Sequence, residues 1–349
     1  VVSGALRAAG VEWGEAGAPE AVGPCLVVNG SGDPYKVFTP FSKAWRAHGW
    51  PVPAPTPRVL PLRRVDSDPR ATAEVTAALE APGLPELPPA GEKAALARWR
   101  EWRERALTAY ADDRNRPDLD GTSRLSPYLK LGVVHPRTLL AELAGESGKG
   151  AHTYESELAW REFYADVLWH HPRTAWEDLR PEMSAMRYDE PQDAIEAWKA
   201  GRTGYPIVDA GMRQLLAEGW MHNRVRMIAG SSLPKDLHVW WPLGARHFIE
   251  HLVDGDISSN IQGWQWVAGT GTDASPYFRV FNPVTQGLRF DPDGDYVRRW
   301  VPELAHVPGA AAHEPWDVAD GYDHGYPARI VDHAAERIEA LDRLQATKS

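Results

Sequence analysis

A single cysteine, Cys25, excludes an internal disulfide, a cysteine-rich zinc site and a four-cysteine iron–sulfur cluster held by this chain alone. Its thiol reads as a small buried hydrophobe. No apolar run of about 18 residues occurs, and VVSGALRAAGVEWGEAG at the start lacks the basic stretch and apolar core of a secretion signal. A cytoplasmic, monomeric protein is expected, with no membrane partner. Positive charge is also short: the net charge of -10 argues against a generally adhesive nucleic-acid binder. A local basic groove stays open, because steering depends on where charges sit.

Tryptophan, in contrast, is abundant. Sixteen indoles in 349 residues favour a stacked ligand or an electron path, since large flat faces are costly to expose. The length suits one large or two ordinary domains. VVSGALRAAGV reads as a short helix and PCLVVNGSGDP as a strand, so residues 1–40 look like the end of an α/β domain. Residues 41–90, Pro-rich from Pro51, read as a wrapping linker. From Gly91 the pattern turns helical: Leu96, Trp99, Trp102, Ala106, Leu107 and Tyr110 recur every three to four residues. Strong helices follow in TYESELAWREFYADVLWHHP, VDAGMRQLLAEGW, MHNRVRMIAGSSLP and WPLGARHFIEHLVDGD, and a last one in ARIVDHAAERIEALDRLQATKS. Residues 91–349 are therefore expected to form a mainly α domain.

Its chemistry concentrates in Asp254–Asp273, DGDISSNIQGWQWVAGTGTD. Two carboxylates, the Asn260 amide and the indoles Trp264 and Trp266 suit an aromatic, redox-active cofactor. Alone, DGD is first a turn, and WQW is first core. GTGTDA is no dinucleotide fingerprint, because no apolar strand precedes it and Pro276 follows. FDPDGDYV alternates Asp291, Asp293 and Asp295 as a calcium loop does, but Tyr296 and Pro302 stand where that loop needs Gly and Glu. No metal is called for.

Two further constellations keep company with this stretch. Glu157, Trp160, Arg161 and Tyr164 share one helical stripe, and Trp220, Asn223, Arg226 and Met227 share another. GTSRLS, Gly121–Ser126, sets small hydroxyls and an arginine before a helix, a usable diphosphate cradle.

Together with PYKVFTPF, GRTGYPIVDAGMRQL, NPVTQG and HEPW, these motifs resemble the DNA photolyase and cryptochrome family, closest to its class I cyclobutane pyrimidine dimer photolyases. The resemblance implies a helical domain that holds folded FAD. Tyr110, Thr122, Ser123, Arg124, Leu125 and Ser126 would hold its phosphates and neighbouring groups. Trp220, Asn223, Arg226, Asp254, Gly255, Asp256 and Asn260 would complete the cofactor site, with Arg226 paired to Asp254 and Asn260 facing flavin N5. An amide there favours repair over signalling. Glu157, Trp160, Asn223, Met227 and Trp266 would receive a dimer extruded from ultraviolet-damaged DNA, as photolyases are known to do. Arg114, Arg161, Arg224, Arg279 and Gln286, with Glu157, Trp160 and Asn223, would contact the DNA.

Trp264 and Trp241 match the first two members of the family's electron chain. The third position carries Tyr188, so the chain is expected to end there or at Trp240. A second, antenna chromophore would belong to the α/β domain. The rival readings are a cryptochrome-like blue-light photoreceptor, against which Asn260 speaks, and a (6-4) photolyase, whose His pair is replaced by His222-Asn223.

Overall fold

The computed structural model describes residues 2–13, 17–55, 57, 59, 66–80, 85–272 and 278–347. Asp273 and Pro276, and the linker residues 56, 58, 60–65 and 81–84, lie outside the described residues. The described chain is helical, and no β-ladder forms beyond one isolated bridge between Val28 and Pro34.

The helices assemble around two apolar cores. Short α1 (Val2–Ala8) precedes α2 (Phe38–His48), and exposed α3 (Pro69–Leu79) interrupts the Pro-rich segment. The first core gathers α2, α4 (Glu92–Ala106), α5 (Tyr110–Asp113), α6 (Ser126–Lys130), α7 (Pro136–Leu143) and α8 (Lys149–His170) around Phe41, Trp45, Trp99, Trp102 and Phe163. The second gathers α9 (Gln192–Lys199), α10 (Pro206–Glu218), α11 (Asn223–Asp236), α12 (Trp241–His251), α13 (Ile257–Ala268), α14 (Pro283–Phe290) and α15 (Asp295–Trp300) around Trp198, Trp241, Phe248 and Trp264. The last helix, α16 (His333–Ala346), packs on α11. No described helix is long and apolar enough to cross a membrane.

Local chemistry sets the helix ends that matter to the site. Pro206 starts α10, where a missing N–H costs nothing, and Gly219 at φ 61° ends it. His222 caps α11 by accepting from Arg224 N, and Asp256 caps α13 by accepting from Ser259 N. Helix α12 stops at His251, before the DGD loop, which is tied down by Val253 N donating to Gly219 O at 2.8 Å. Two close approaches need glycine. A Cβ at Gly150 would lie 1.8 Å from Leu107 O, and one at Gly244 would lie 2.2 Å from the Trp264 ring.

Several expectations change. Pro24–Pro34 forms no strand, because Asn29 turns the chain by accepting from Ser31 N and Asp33 N, and no partner strand faces it. Instead residues 18–27 strap across α8. Glu162 accepts from Ala21 N, Val22 N (3.0 Å) and Trp45 Nε1 (2.8 Å), and Asp166 accepts from Cys25 N (2.8 Å). Ala21, Val22 and Val27 thereby join the first helical core. Cys25 is exposed, at φ 61°, and fills no core. The helix from Gly91 breaks at Leu107–Ala109, where α8 crosses on Gly150. The Pro-rich segment contains α3, whose Asp68 cap accepts from Arg70 N and Ala71 N. The final helix starts later than its apolar pattern, at the Asp332 cap. Asp291 serves as a turn residue, its carboxylate accepting from Tyr296 N and Val297 N at the head of α15.

Candidate cofactor and DNA site

Two walls face each other, one from each core. The first begins with the GTSRLS loop, which is held from behind. Arg98 donates to Ser123 O (3.1 Å) and Thr122 O (3.2 Å), and Trp102 Nε1 to Gly121 O (3.1 Å). Ser123 shares a 2.9 Å hydroxyl contact with Tyr154, which packs against Tyr110 at 5.4 Å, and Leu125 is buried. Arg124 stands at φ 53°, a conformation non-glycine residues seldom adopt. Its guanidinium lies 4.3 Å from the Trp220 ring and pairs with Glu218 at 3.3 Å. Trp220 Nε1 reaches Ser126 Oγ at 3.4 Å, so the loop touches the second wall here. A cleft of about 780 Å³ opens beside this contact, lined by Arg124, Tyr128, Trp220 and Arg299; it does not reach Asp254 or Asn260.

On α8, Glu157 pairs with Arg114 at 2.5 Å. Burial pushes its carboxyl up, while Arg114 and then Arg224 pull it down. Trp160 stacks on Phe38 at 3.6 Å with the planes 8° apart, so α2 presets its orientation. Arg161 turns toward the strap: it donates to Pro19 O at 3.0 Å and lies 3.9 Å from Glu20. It also acts on Asp256, whose carboxyl stays low despite burial because Ser258, Ser259 and Arg161 stabilise the charge. Arg161 thus sits on the Asp256 side of the site, apart from Arg114 and Arg224.

The second wall rises from α11 and α13. Arg226 donates to Asp254 Oδ2 (2.8 Å) and Met221 O (2.7 Å). Asp254 is buried, and its Oδ1 has no partner among the described residues. Val253 and Asp254 form a turn closed by Gly255 N donating to Leu252 O at 3.1 Å, just before Asp256. Asn260 anchors its Nδ2 on Ala245 O at 2.8 Å, a contact that fixes the amide plane. Exposed Asn223 lies one helical turn from Met227, its Nδ2 4.0 Å from the sulfur. Trp264 is buried edge-on to Phe248 (4.9 Å) and Trp198 (6.0 Å), and its Nε1 has no partner among the described residues. Trp266 is half-buried under the Arg279 guanidinium at 5.1 Å, and Gln286 lies on α14.

Arg224 closes the gap between the walls through Asn115 and lies 4.4 Å from the Phe290 ring. Burial, Arg114 and Arg289 lower its pKa to about 10. Behind α13, Trp241 donates to Asp178 Oδ1 at 2.7 Å and lies 6.4 Å from the exposed Trp240. Burial raises Asp178, opposed by hydrogen bonds from Trp241, Thr270 and Trp240. Tyr188 is half-buried, and its hydroxyl is pushed up by burial and by Asp178.

Sequence reasoning missed Asn115, Asp178, Phe38 and Phe290. Asn115 and Asp178 sit in no motif, whereas Phe38 belongs to PYKVFTPF and Phe290 opens FDPDGDYV. Among the described residues no cluster could hold a metal ion. The donors present fit a flavin nucleotide. Asp254 offers a buried, unclaimed acceptor, Asn260 a fixed amide, Trp264 an unclaimed indole N–H, and Thr122–Ser126 hydroxyls and a cation for phosphates.

Comparison with known proteins agrees with this class of helical flavoprotein. Residues 154–346 match the FAD binding domain of DNA photolyase. A deoxyribodipyrimidine photo-lyase of Alkalihalophilus pseudofirmus is 43% identical over 331 residues, covering 91% of this chain and 69% of that protein. The class III photolyase of Agrobacterium tumefaciens superposes with a TM-score of 0.83 at 34% identity, over 99% of this chain and 76% of that one. A Synechocystis cryptochrome superposes with a TM-score of 0.80 at 28% identity, over 97% and 74% of the two chains. The chain belongs to the DNA photolyase family and carries its FAD-binding domain.

Proposed function

We propose that this protein repairs cyclobutane pyrimidine dimers in ultraviolet-damaged DNA, as a light-driven deoxyribodipyrimidine photo-lyase. What supports the reading is the Glu157 carboxyl held by Arg114 on the first wall, together with the Arg226–Asp254 pair on the second. A carboxyl group positioned there meets the polar edge of an extruded pyrimidine pair, while Trp160 and Trp266 offer flat faces to its rings. A reduced FAD held between these walls would supply the light-driven, overall redox-neutral electron chemistry that splits a cyclobutane ring. Arg226 and Asp254 orient the flavin, Asn260 presents its amide to it, and Thr122–Ser126 hold the phosphates. Arg114, Arg224, Arg279 and Gln286 engage the DNA, and the binding loosens as salt rises.

Trp264 and Trp241 would carry electrons to a bound flavin. Tyr188, whose hydroxyl is pushed up by burial and by Asp178, is one candidate end of this path, and exposed Trp240 offers a second. Transient absorption decides between them: a tyrosyl radical lost in Tyr188→Phe places the end at Tyr188, and photoreduction lost only in Trp240→Phe places it at Trp240.

The test of repair is recovery of thymine absorbance when the reduced holoprotein meets ultraviolet-irradiated oligothymidine under blue light, with a dark control. Recovery in light alone is expected, and Glu157→Ala lowers it about tenfold through loss of one hydrogen bond to the dimer. Absence of recovery with reduced flavin bound overturns repair in favour of a (6-4) substrate or of photoreception, the function suited to the cryptochrome-like fold.

A further inference from the structure

We infer that Asn115 is a positioning residue that holds Arg224 uncompensated for a DNA phosphate. The inference rests on the DNA-repair reading. Three consecutive residues after α5 meet three different fates. Arg114 is paired with Glu157 at 2.5 Å, and Arg116 with Asp118 at 2.5 Å. Between them, Asn115 Oδ1 accepts from both Nε (3.2 Å) and Nη2 (2.7 Å) of Arg224. Among the described residues no carboxylate pairs with Arg224. Glu157, whose charge favours its protonated form, is already engaged by Arg114, while Arg114 and Arg289 oppose that form.

A neutral amide therefore does for Arg224 what a carboxylate does for its neighbours, fixing the fork without cancelling its charge. Phe290, 4.4 Å from the guanidinium carbon, packs against it. The N–H groups not spent on Asn115 remain to meet phosphate oxygens. The arrangement has a cost, seen in the pKa lowered to about 10: burial and like charges strain the cation until an anion arrives. An acidic protein gains a cation whose counterion is released on DNA binding, rather than one already neutralised by its own carboxylates.

The experiment measures affinity of the FAD-loaded protein for an ultraviolet-irradiated oligonucleotide in the dark, as a function of salt. Asn115→Asp gives Arg224 an internal counterion, so the slope of log affinity against log salt becomes shallower by about 1. Between about 50 and about 200 mM salt the variant then loses roughly threefold less affinity than the parent. Asn115→Gln keeps the parent slope, and Asn115→Ala keeps the slope but binds roughly fivefold more weakly at all salts, through lost positioning. Arg224→Ala shows the shallow slope by itself, and adding Asn115→Asp changes it no further.

A parent-like slope in Asn115→Asp, or a slope change that persists without Arg224, overturns the inference. Should Asn115→Asp not fold, the Asn115→Ala and Arg224→Ala cycle decides: independent losses overturn the proposal, and an Asn115→Ala loss that vanishes without Arg224 supports it. A parent protein that shows no salt-dependent binding to damaged DNA overturns the repair reading itself, a result separable from parent-like behaviour of the variant.

Discussion

The two walls handle buried polarity in opposite ways. On the first, polar groups answer one another: Ser123 meets Tyr154, Glu157 meets Arg114, and Glu162 gathers two backbone N–H groups and an indole. On the second, Asp254 Oδ1, His222 Nε2 and Trp264 Nε1 are buried without partners among the described residues. An unsatisfied buried group costs about 1–3 kcal/mol. Folding satisfies most of the first wall, where Asp166 Oδ2 under the strap is the exception among the described residues, and a bound ligand has most to contribute at the second. The cofactor should therefore act on stability mainly through α11–α13, and the strap mainly through α8.

The largest effect that can break this contrast is on the second wall. Arg226→Ala leaves Asp254 as a buried, unpaired carboxylate, at about 3–5 kcal/mol by calorimetry, with flavin lost from the purified protein. A variant that keeps both flavin and stability would show that the pair is incidental. Stripping FAD from the parent comes next. With ligand at about 1,000 times its dissociation constant, removal costs about 4 kcal/mol and should lower the melting temperature by roughly 5 °C. Hydrogen exchange should rise first in α11–α13, and equal loosening of α8 would erase the distinction between the walls.

On the first wall, Glu162→Ala should cost about 2–3 kcal/mol by losing the strap and the Trp45 contact, while flavin content per folded molecule is unchanged. Loss of flavin in proportion would mean that the strap belongs to the cofactor site. The smallest effect is pH-dependent. Burial first, then Arg226, Arg224 and their neighbours, lowers the His222 pKa from 6.5 to about 3. The unfolded chain binds the proton more tightly, so stability is full above 6.5 and falls with pH from there toward about 3. Over the first pH unit below 6.5 this amounts to roughly 1 kcal/mol. His222→Asn, which preserves a capping side chain, should flatten that part of a urea-midpoint profile, and an unchanged profile would assign the slope to other buried histidines.

Much of the fold was legible in the chain because helix ends are decided within about four residues. Gly219, Pro206 and the Asp256 cap act on their own turns, and the α8 stripe of Glu157, Trp160, Arg161 and Tyr164 follows from helical spacing. The candidate site was legible where motifs carried it, as with the Arg226–Asp254 pair. Residues 24–34 were misread because a strand needs a partner that local sequence cannot supply, and the Glu162 and Asp166 carboxylates claimed the neighbouring strap backbone instead.

By itself, then, the sequence determined the helical class, the order of the helices and the identity of the groups proposed to carry the chemistry. Tertiary structure alone decided who meets whom. Asn115 reaches Arg224 across 109 positions, Asp178 reaches Trp241 across 63, and Phe38 covers Trp160 from another helix. Those partnerships depend on how helices dock, which is set by the shape of both cores and by close approaches such as Gly150 on Leu107. Charge compensation at the site is settled at the same level, because a guanidinium is neutralised only by the group that packing brings to it.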